Sequence, residues 1–325
     1  MFEAAKAKFE RLFRGEMPEA EARAYLVELY ERGESAEEIA AAVDVMRAHS
    51  IKLEMDEALR EKLIDVVGTG GDKSGSFNIS STVALLLASM GSYVAKHGNR
   101  AITSNSGSAD MLEALGINLG LSPEQQVKML EETGFTFMFA IHHHPAMKYI
   151  MPIRKSLSHR TIFNILGPLT NPAGARKYLI GVFSDAYLSR IVEALSLLDT
   201  RSAVAVSSRD GMDEISICDI TYATELKAGE RSDFIIDPEA LGFSLAPAEA
   251  IKGGNAVENA RITSEIFEGM QGPKRDVVLL NAAMAFKVDG KARDLQEGIE
   301  MAREAIDSGL AKAHLQKIVK TSNLL

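Results

Sequence analysis

Residues 66–81 read VVGTGGDKSGSFNISS, and this stretch decides the fold. It starts at the apolar, β-branched end of a predicted strand over 64–67 and passes through four glycines. It ends at the polar start of a predicted helix over 82–90. A strand, a glycine-rich turn and a helix N-terminus bring unpaired backbone N–H groups to one point, which favours an anion. The stretch therefore predicts a phosphate site; the alternative is an ordinary turn with Ser and Asn caps.

The composition bounds the class of protein. The chain has 325 residues with 46% hydrophobic and 25% charged side chains, which is typical of a soluble globular protein. Its net charge of −9 provides no general basic field, so we expect no nucleic-acid partner. The single cysteine, Cys218, excludes an internal disulfide and agrees with a reducing compartment. The charged, amphipathic start and the absence of a long apolar run predict a cytoplasmic protein with no membrane partner.

The order of elements predicts an α/β fold. Residues 1–62 show helical spacing of apolar side chains, and Ser35 with Glu38 forms a capping box, so we expect a small N-terminal helical domain. From residue 63 to 325, short apolar strands alternate with helices, which predicts a larger domain with a mostly parallel central sheet. The strand candidates are 64–67, 93–95, 178–182, 203–206 and 277–280, with weaker β character over 220–226 and 233–236. Residues 121–170 read as mainly helical and are expected to complete the helical domain.

Two further segments offer groups that suit a phosphorylated ligand. Asp72 lies in the glycine stretch and is interpreted either as a ligand for sugar hydroxyls or as the acceptor of an Asx-turn. The run KHGNR over 96–100 follows the second strand, where side chains reach the ligand crevice of a parallel sheet. A hydroxyl-rich loop over 103–108 then precedes another helix, and two such loops predict a ligand with more than one phosphate.

Acids, arginines and histidines in the middle of the chain leave alternatives open. Asp213 and Glu214 are adjacent acids that suit Mg²⁺ beside a polyphosphate, or else form a solvated turn. Arg154 and Arg160 are candidates for a substrate carboxylate, or else surface ion pairs. The run His142–His144 suggests a metal site, but three successive residues rarely converge on one ion, and the alternative is a helix start before Pro145. The set as a whole favours chemistry by positioning and charge stabilisation over proton transfer.

Taken in order, these motifs closely resemble the anthranilate phosphoribosyltransferase family. The matching segments are GTGGD (68–72), NISS (78–81), KHGNR (96–100), GSAD (107–110), HHPAMK (143–148), RTIFNILGPLTNP (160–172) and DE (213–214). The resemblance covers nearly the whole chain, and the segment over 160–172 is highly specific. It implies a helical domain plus an α/β domain, dimerisation through the helical part, and transfer of the phosphoribosyl group of PRPP to the amine of anthranilate.

The resemblance also implies roles for individual residues. The PRPP site would comprise Gly68, Gly71, Asp72, Ser76, Asn78, Ser80, Ser81, Lys96, His97, Gly98, Asn99, Arg100, Ala101, Ile102, Thr103, Ser104 and Ser108. Anthranilate would contact Gly68, Asn99, Arg154, Gly167 and Pro168. Ser80, Asp213 and Glu214 would hold Mg²⁺, with two ions expected alongside PRPP. No general base is assigned; His97 is the candidate by its place in the sequence.

The chain departs from the family pattern at few positions. Ser76 and Ser81 stand where Thr is more usual, which keeps the hydroxyl and removes a methyl group. Ser158 and His159 replace a Gly and an apolar residue, which puts the local turn in doubt. The rival interpretations are a pyrimidine nucleoside phosphorylase, which would have a KHS-type run and lack NILGPLTNP, and a non-catalytic relative that binds nucleic acid.

Overall fold

The structure is a computed structural model that describes residues 1–72, 74–101 and 105–325. The predicted site residues Ile102, Thr103 and Ser104 lie outside the described residues. Helices α1–α15 are Phe2–Phe13, Glu19–Arg32, Ala36–Ala48, Glu57–Arg60, Ile79–Ser89, Ser108–Ala114, Pro123–Thr133, Ala140–His143, Met147–Lys155, Phe163–Leu169, Leu188–Ser196, Ala256–Phe267, Pro273–Asp289, Leu295–Asp307 and Leu310–Ser322. Strands β1–β7 are Leu63–Gly68, Tyr93–Gly98, Phe135–Phe139, Lys177–Gly181, Ser202–Ser208, Thr221–Lys227 and Glu230–Ile236.

The seven strands form one sheet in the order β3-β2-β1-β4-β5-β6-β7. Strands β1 to β5 run parallel, so their carboxyl ends meet at one edge. Strands β6 and β7 are an antiparallel hairpin whose two-residue turn, Ala228 and Gly229, has positive φ at both positions. Such a turn matches the twist of the strands that it joins. The predicted α/β fold with a mostly parallel sheet is confirmed.

One predicted strand is wrong, and one strand of the sheet was not predicted. Residues 277–280 lie inside helix α13, and not in a strand. This helix is buried almost all round, and a short apolar run does not distinguish a buried helix from a buried strand. Residues 135–139 form the edge strand β3 within a segment that is predicted to be mainly helical.

The sheet has a hydrophobic core on each face. Alternate residues of β1 show this, because Ile64 and Val66 belong to one cluster and Leu63 to the other. Helices α5, α13 and α14 contribute to the first core. The N-terminal helices share the second core with α9, α10 and α11. The predicted helices over 1–62 are confirmed, including the Ser35–Glu38 capping box.

Within the described residues, no helix has both the length and the apolar character needed to cross a membrane.

Candidate active site

The site lies at the carboxyl ends of β1, β4 and β5. Gly68 ends β1 and pairs with Gly181, which ends β4. The loop after β5 lies directly on these two glycines: a Cβ on Gly68 would come 2.6 Å from Asp213 Oδ2, and a Cβ on Gly181 would overlap the carbonyl oxygen of Asp213. Glycine is therefore required at both strand ends for Asp213 to reach this position.

Asp213 and Glu214 accept hydrogen bonds from the glycine loop, which we define as residues 68–76, and from helix α5, which follows it. Asp213 Oδ2 accepts a hydrogen bond from the backbone N–H of Gly70 at 2.6 Å. Glu214 Oε1 accepts one from the N–H of Ser80, in the first turn of α5, at 3.2 Å. A carboxylate at a helix N-terminus is favoured by the helix dipole. The solvated-turn interpretation is wrong, because Asp213 is 8% exposed and Glu214 is half-buried.

Burial perturbs the charge of both acids. Desolvation, together with the nearby Asp72 carboxylate, raises the pKa of Asp213 to about 7. Desolvation and the charge of Asp213 raise the pKa of Glu214 to about 8, against a smaller opposing effect of the Lys96 ammonium. Buried like charges resist ionisation in this way, and such perturbed acids are typical of functional sites.

The donor set fits Mg²⁺ completed by a ligand. Asp213, Glu214 and the Ser80 hydroxyl offer the hard oxygen atoms that this ion prefers. In the part of the chain that the structure describes, no three His, Cys, Asp or Glu side chains converge as a complete metal site. An ion held here would therefore take its remaining ligands from phosphate oxygens and water, as Mg²⁺ usually does.

Asp72 accepts hydrogen bonds from two backbone N–H groups, one inside the glycine loop and one at the acid pair. Its Oδ1 accepts from the N–H of Ser74 at 3.3 Å, which confirms the Asx-turn. Its Oδ2 accepts from the N–H of Asp213 at 3.4 Å, so the same side chain also connects the glycine loop to the acid pair. Ser76 lies at the end of the loop, where its Oγ bonds Ser74 Oγ at 3.1 Å.

The start of α5 offers polar groups beside the acid pair. Lys96 Nζ donates to Val66 O at 2.7 Å and to Ser80 Oγ at 3.3 Å, and its side chain is buried. Burial lowers its pKa, while the charge of Asp65 raises it. The buried Ser81 hydroxyl has no hydrogen-bond partner among the described residues, so it is available to a bound phosphate. Asn78 is held by Asn259, whose Nδ2 donates to Asn78 Oδ1 at 2.8 Å.

The loop after β2 packs closely on the start of α6. A Cβ on Gly98 would overlap Ser108 Oγ, and Ser108 Oγ donates to Asn99 O at 3.2 Å. The N–H of Ala101 donates to Asp110 Oδ2 at 2.9 Å. The Arg100 guanidinium is exposed and pairs with Asp110 at 2.9 Å and Glu113 at 2.6 Å. Arg100 thus connects the loop after β2 to helix α6 through two ion pairs.

Two buried imidazoles lie close together beside this loop. The rings of His97 and His144 are 5.0 Å apart, and both residues are buried. Burial and the neighbouring histidines lower the pKa of His97 well below its usual range, and burial lowers that of His144 to about 4. Both imidazoles are therefore neutral at physiological pH. His97 Nε2 lacks a hydrogen-bond partner among the described residues.

Arg154 belongs to helix α9, and Gly167 and Pro168 belong to α10. Half-buried Arg154, in α9, lies 5.6 Å from the ring centroid of Phe163, and burial lowers its pKa. Within the described residues it has no ion pair with an acid, so the surface-pair interpretation is wrong for it. Among the described residues, no atom lies within 4 Å of a Cβ built on Gly167, so this part of the chain leaves space beside α10, while Pro168 is buried.

Arg160 contacts the glycine loop. Its guanidinium donates to Gly71 O at 2.8 Å and lies 3.7 Å from the ring centroid of Phe183, which follows β4. The unusual His159 stacks on Tyr30 of α2, with ring centroids 4.1 Å apart. The doubtful turn at 158–159 is thus held against the N-terminal helices.

The three successive histidines do not form a metal site among the described residues. They lie at the end of the short helix α8, so the expected helix start before Pro145 is wrong. His143 Nδ1 bonds the carbonyl of Ile51 at 2.7 Å and so ties α8 to the N-terminal segment. His144 is the member that faces His97.

Sequence reasoning missed several residues that shape the site. Gly181 and Asn259 carry no local signal, because their importance comes from contacts with Asp213 and Asn78 far away in the chain. The sequence suggests His144 as a metal ligand or as part of a helix start. Its place in the family segment HHPAMK was the available signal.

The chain is similar to known proteins over nearly its whole length. Residues 60–312 match the model described as "Glycosyl transferase family, a/b domain", and residues 2–50 match the "helical bundle domain" of the same family. Anthranilate phosphoribosyltransferase of Methanobrevibacter smithii is 44% identical, over 98% of this chain and 94% of the relative. The enzyme of that name from Rhodopseudomonas palustris strain HaA2 is 46% identical, over 98% of this chain and 93% of the relative.

Solved structures of enzymes with the same name superpose closely. The crystal structure from Thermus thermophilus has a TM-score of 0.92 at 41% identity, covering 99% of this chain and 96% of that one. The Saccharomyces cerevisiae enzyme in complex with PRPP and Mg has a TM-score of 0.85 at 28% identity, covering 94% and 86%. Another structure of the yeast enzyme contains 4-fluoroanthranilate.

Proposed function

The chain belongs to the anthranilate phosphoribosyltransferase family, and from that premise we propose how its site carries out the family's reaction in tryptophan biosynthesis. In this reaction the anthranilate amine nitrogen forms a bond to C1 of the ribose of PRPP. The C1–oxygen bond breaks, pyrophosphate leaves with the bonding electrons, and the amine loses a proton. The observation that carries the proposal is the buried Asp213–Glu214 pair, placed against the glycine loop and the N-terminus of α5.

The chain's own groups suit the phosphates of PRPP. The glycine loop lets a phosphate approach the backbone closely, with Gly70 and Gly71 at φ +69° and +75°, which glycine adopts without strain. The start of α5 adds its dipole and the hydroxyls of Ser80 and Ser81. The remaining described residues proposed for this site are Gly68, Asp72, Ser76, Asn78, Lys96, His97, Gly98, Asn99, Arg100, Ala101 and Ser108.

Mg²⁺ is the metal that this donor set fits, and the yeast relative is described with PRPP and Mg. Asp213, Glu214 and Ser80 would hold it, and we propose two ions. Bound there, the metal supplies positive charge to the leaving pyrophosphate. The protein's part is to hold its carboxylates at a fixed place beside the glycine loop.

We propose that anthranilate binds between His97 and α10. Arg154 offers an unpaired guanidinium to a carboxylate, which it can bind through two parallel hydrogen bonds. Gly167 leaves space for an aromatic ring, while Gly68, Asn99 and Pro168 complete the contacts. Neutral His97, whose Nε2 has no hydrogen-bond partner among the described residues, is our candidate to receive the amine proton.

The test is anthranilate fluorescence on mixing the protein with PRPP and Mg²⁺. We expect a Mg²⁺-dependent loss of signal that falls by at least about 10²-fold in the Asp213→Asn/Glu214→Gln variant, because the leaving-group charge loses its stabilisation. Asp237→Asn is the control, since Asp237 lies after β7 and its side chain accepts from Glu239 N. No loss of signal at high enzyme concentration would refute the assignment. Pyrimidine nucleosides with phosphate would then be tested.

We further propose a division into a helical domain over 1–62 and an α/β domain over 63–325, with part of 121–170 packed on the former. A homodimer through the helical part and a cytoplasmic location complete the proposal. The contacts of α9 and α10 with the N-terminal helices support the packing. Exposed Tyr30 and Tyr149 in these helices suit a subunit interface. Light scattering of the purified protein would show a mass of one chain if the dimer is wrong.

A further inference from the structure

The two central strands of the site separate before they end. The backbone ladder of β1 and β2 joins Leu63 to Tyr93 and Ile64 to Val94, and among the described residues it extends no further. Both strands nevertheless run on to Gly68 and Gly98. On their other sides the ladders continue to the last residue, where Gly68 pairs with Gly181 and Gly98 with Phe139.

Side chains replace the ladder in this gap. Asp65 Oδ1 accepts from the N–H of His97 at 3.3 Å. Asn171 Nδ2 donates to Asp65 Oδ2 at 2.7 Å and to Ala95 O at 2.8 Å. Lys96 Nζ donates to Val66 O at 2.7 Å. Backbone groups that have lost their ladder partners are satisfied in this way, as buried polar groups must be.

The gap is buried and contains ionisable side chains. Asp65 has no exposed surface, and Asn171 and Lys96 are 1% and 2% exposed. Burying a carboxylate carries a high cost in free energy, and an apolar contact between the strands is often as stable. A continued ladder with apolar side chains would also hold two strands together. The arrangement is therefore better explained by the position that it gives to the strand ends.

Resting on the proposed function, we propose that Asp65, with Asn171, is a positioning residue that sets the separation of the two substrate loops. The glycine loop begins three residues after Asp65, at Gly68, and the Lys96–Arg100 run begins where β2 separates from β1. Asp65 holds the backbone of His97, and Asn171 holds the carbonyl before Lys96. Movement at the gap would displace both loops relative to each other, and so relative to the phosphates that they bind.

The test is the nearly isosteric variant Asp65→Asn, with Asp289→Asn as the matched control. Asp289 is also buried, accepting from Ser92 Oγ at 2.7 Å and pairing with Lys177 at 2.8 Å at the opposite end of the same sheet. In either orientation of its amide, Asp65→Asn places an N–H donor against Asn171 Nδ2 or against the N–H of His97. We expect its kcat/KM for PRPP to fall at least about tenfold, the size of a lost charged hydrogen bond. We expect Asp289→Asn to lower the melting temperature and to keep kcat/KM.

A second variant separates positioning from folding. In Asp65→Asn/Asn171→Asp the donor and acceptor are exchanged, which restores the bond between the two side chains, while a carboxylate oxygen then faces Ala95 O in place of the amide donor. Recovery of at least about a third of the lost kcat/KM would support the proposal. A single variant within about twofold of the wild type, or a loss that follows melting temperature equally in both aspartate variants, would overturn it.

Hydrogen exchange of the His97 amide measures the gap without any reaction. It should accelerate in Asp65→Asn and remain at the wild-type rate in Asp289→Asn. If the wild type does not consume anthranilate, the proposed function fails, and the exchange rate still tests the gap. Unchanged exchange in Asp65→Asn would overturn the role of Asp65.

Discussion

Gly181→Ala is expected to disable the site without altering any proposed ligand. A Cβ on Gly181 would overlap the carbonyl oxygen of Asp213, and the neighbouring atoms are backbone too. Strand β4 and the Asp213 loop must separate by roughly 1.5 Å before the contact reaches 3.0 Å, below which real Cβ atoms are essentially never found. The side chains of Asp213 and Glu214 move with that loop.

The size of the effect follows from this displacement. A misplacement of about 1 Å in a positioned catalytic group can cost about 10²-fold in rate. We therefore expect kcat/KM to fall by about 10²-fold or more. Overpacking of this kind costs about 1–3 kcal/mol of unfolding free energy, so the variant should still fold. Because the carbonyl of Gly181 also accepts from Thr69 N at 2.9 Å, the glycine loop should share the disturbance.

The assay is the Mg²⁺-dependent decay of anthranilate fluorescence, with thermal unfolding measured in parallel. Gly120→Ala is the matched control: it lies between α6 and α7, and its Cβ would meet only Asn118 Oδ1, at 3.3 Å. It should keep kcat/KM within about twofold. A Gly181→Ala variant with activity within about threefold of the wild type would refute the reasoning that the Asp213 backbone fixes the site.

The remaining predictions concern charge. The folded-state pKa values of Asp213 and Glu214, about 7 and about 8, lie above their unfolded values, so their contribution to stability is present at low pH and lost as pH rises through about 7–8. Mg²⁺ with pyrophosphate should therefore raise the melting temperature more at about pH 8.5 than at about pH 6, and an equal rise would contradict this. Arg154→Gln should raise KM for anthranilate at least about tenfold and leave KM for PRPP nearly unchanged; equal changes in both would contradict its placement.

The parts of the fold that the sequence predicts are those with a local signal. The glycine stretch, the strands at 64–67 and 93–95 and the Ser35–Glu38 cap are each encoded within a few residues, and the structure confirms them. The strand prediction over 277–280 failed because a buried helix and a buried strand are equally apolar. The edge strand over 135–139 was missed because it lies between helices in a segment without alternation.

The residues of the site divide in the same way, into those with a local sequence signal and those that depend on distant contacts. Motifs indicated which residues bring chemistry, but not how that chemistry is enclosed. That Asp213 and Glu214 are buried depends on Gly68, Gly181 and the start of α5, more than thirty residues away at the nearest. The joint role of Asp65 and Asn171 depends on a gap between strands, which no periodicity in the sequence reveals.

The contacts that bury the acid pair also make it respond to a cation. Gly70 N and Ser80 N each satisfy one carboxylate oxygen of the pair, and the Lys96 ammonium offsets part of its charge. The raised pKa values show that these partners fall short of compensating two ionised groups, since desolvation still dominates. Further protein cations would stabilise the pair, but they would also compete with a metal for the same oxygens. We therefore expect this acid pair, beside the proposed phosphate loop, to bind a divalent cation most strongly when a polyphosphate supplies the remaining ligands.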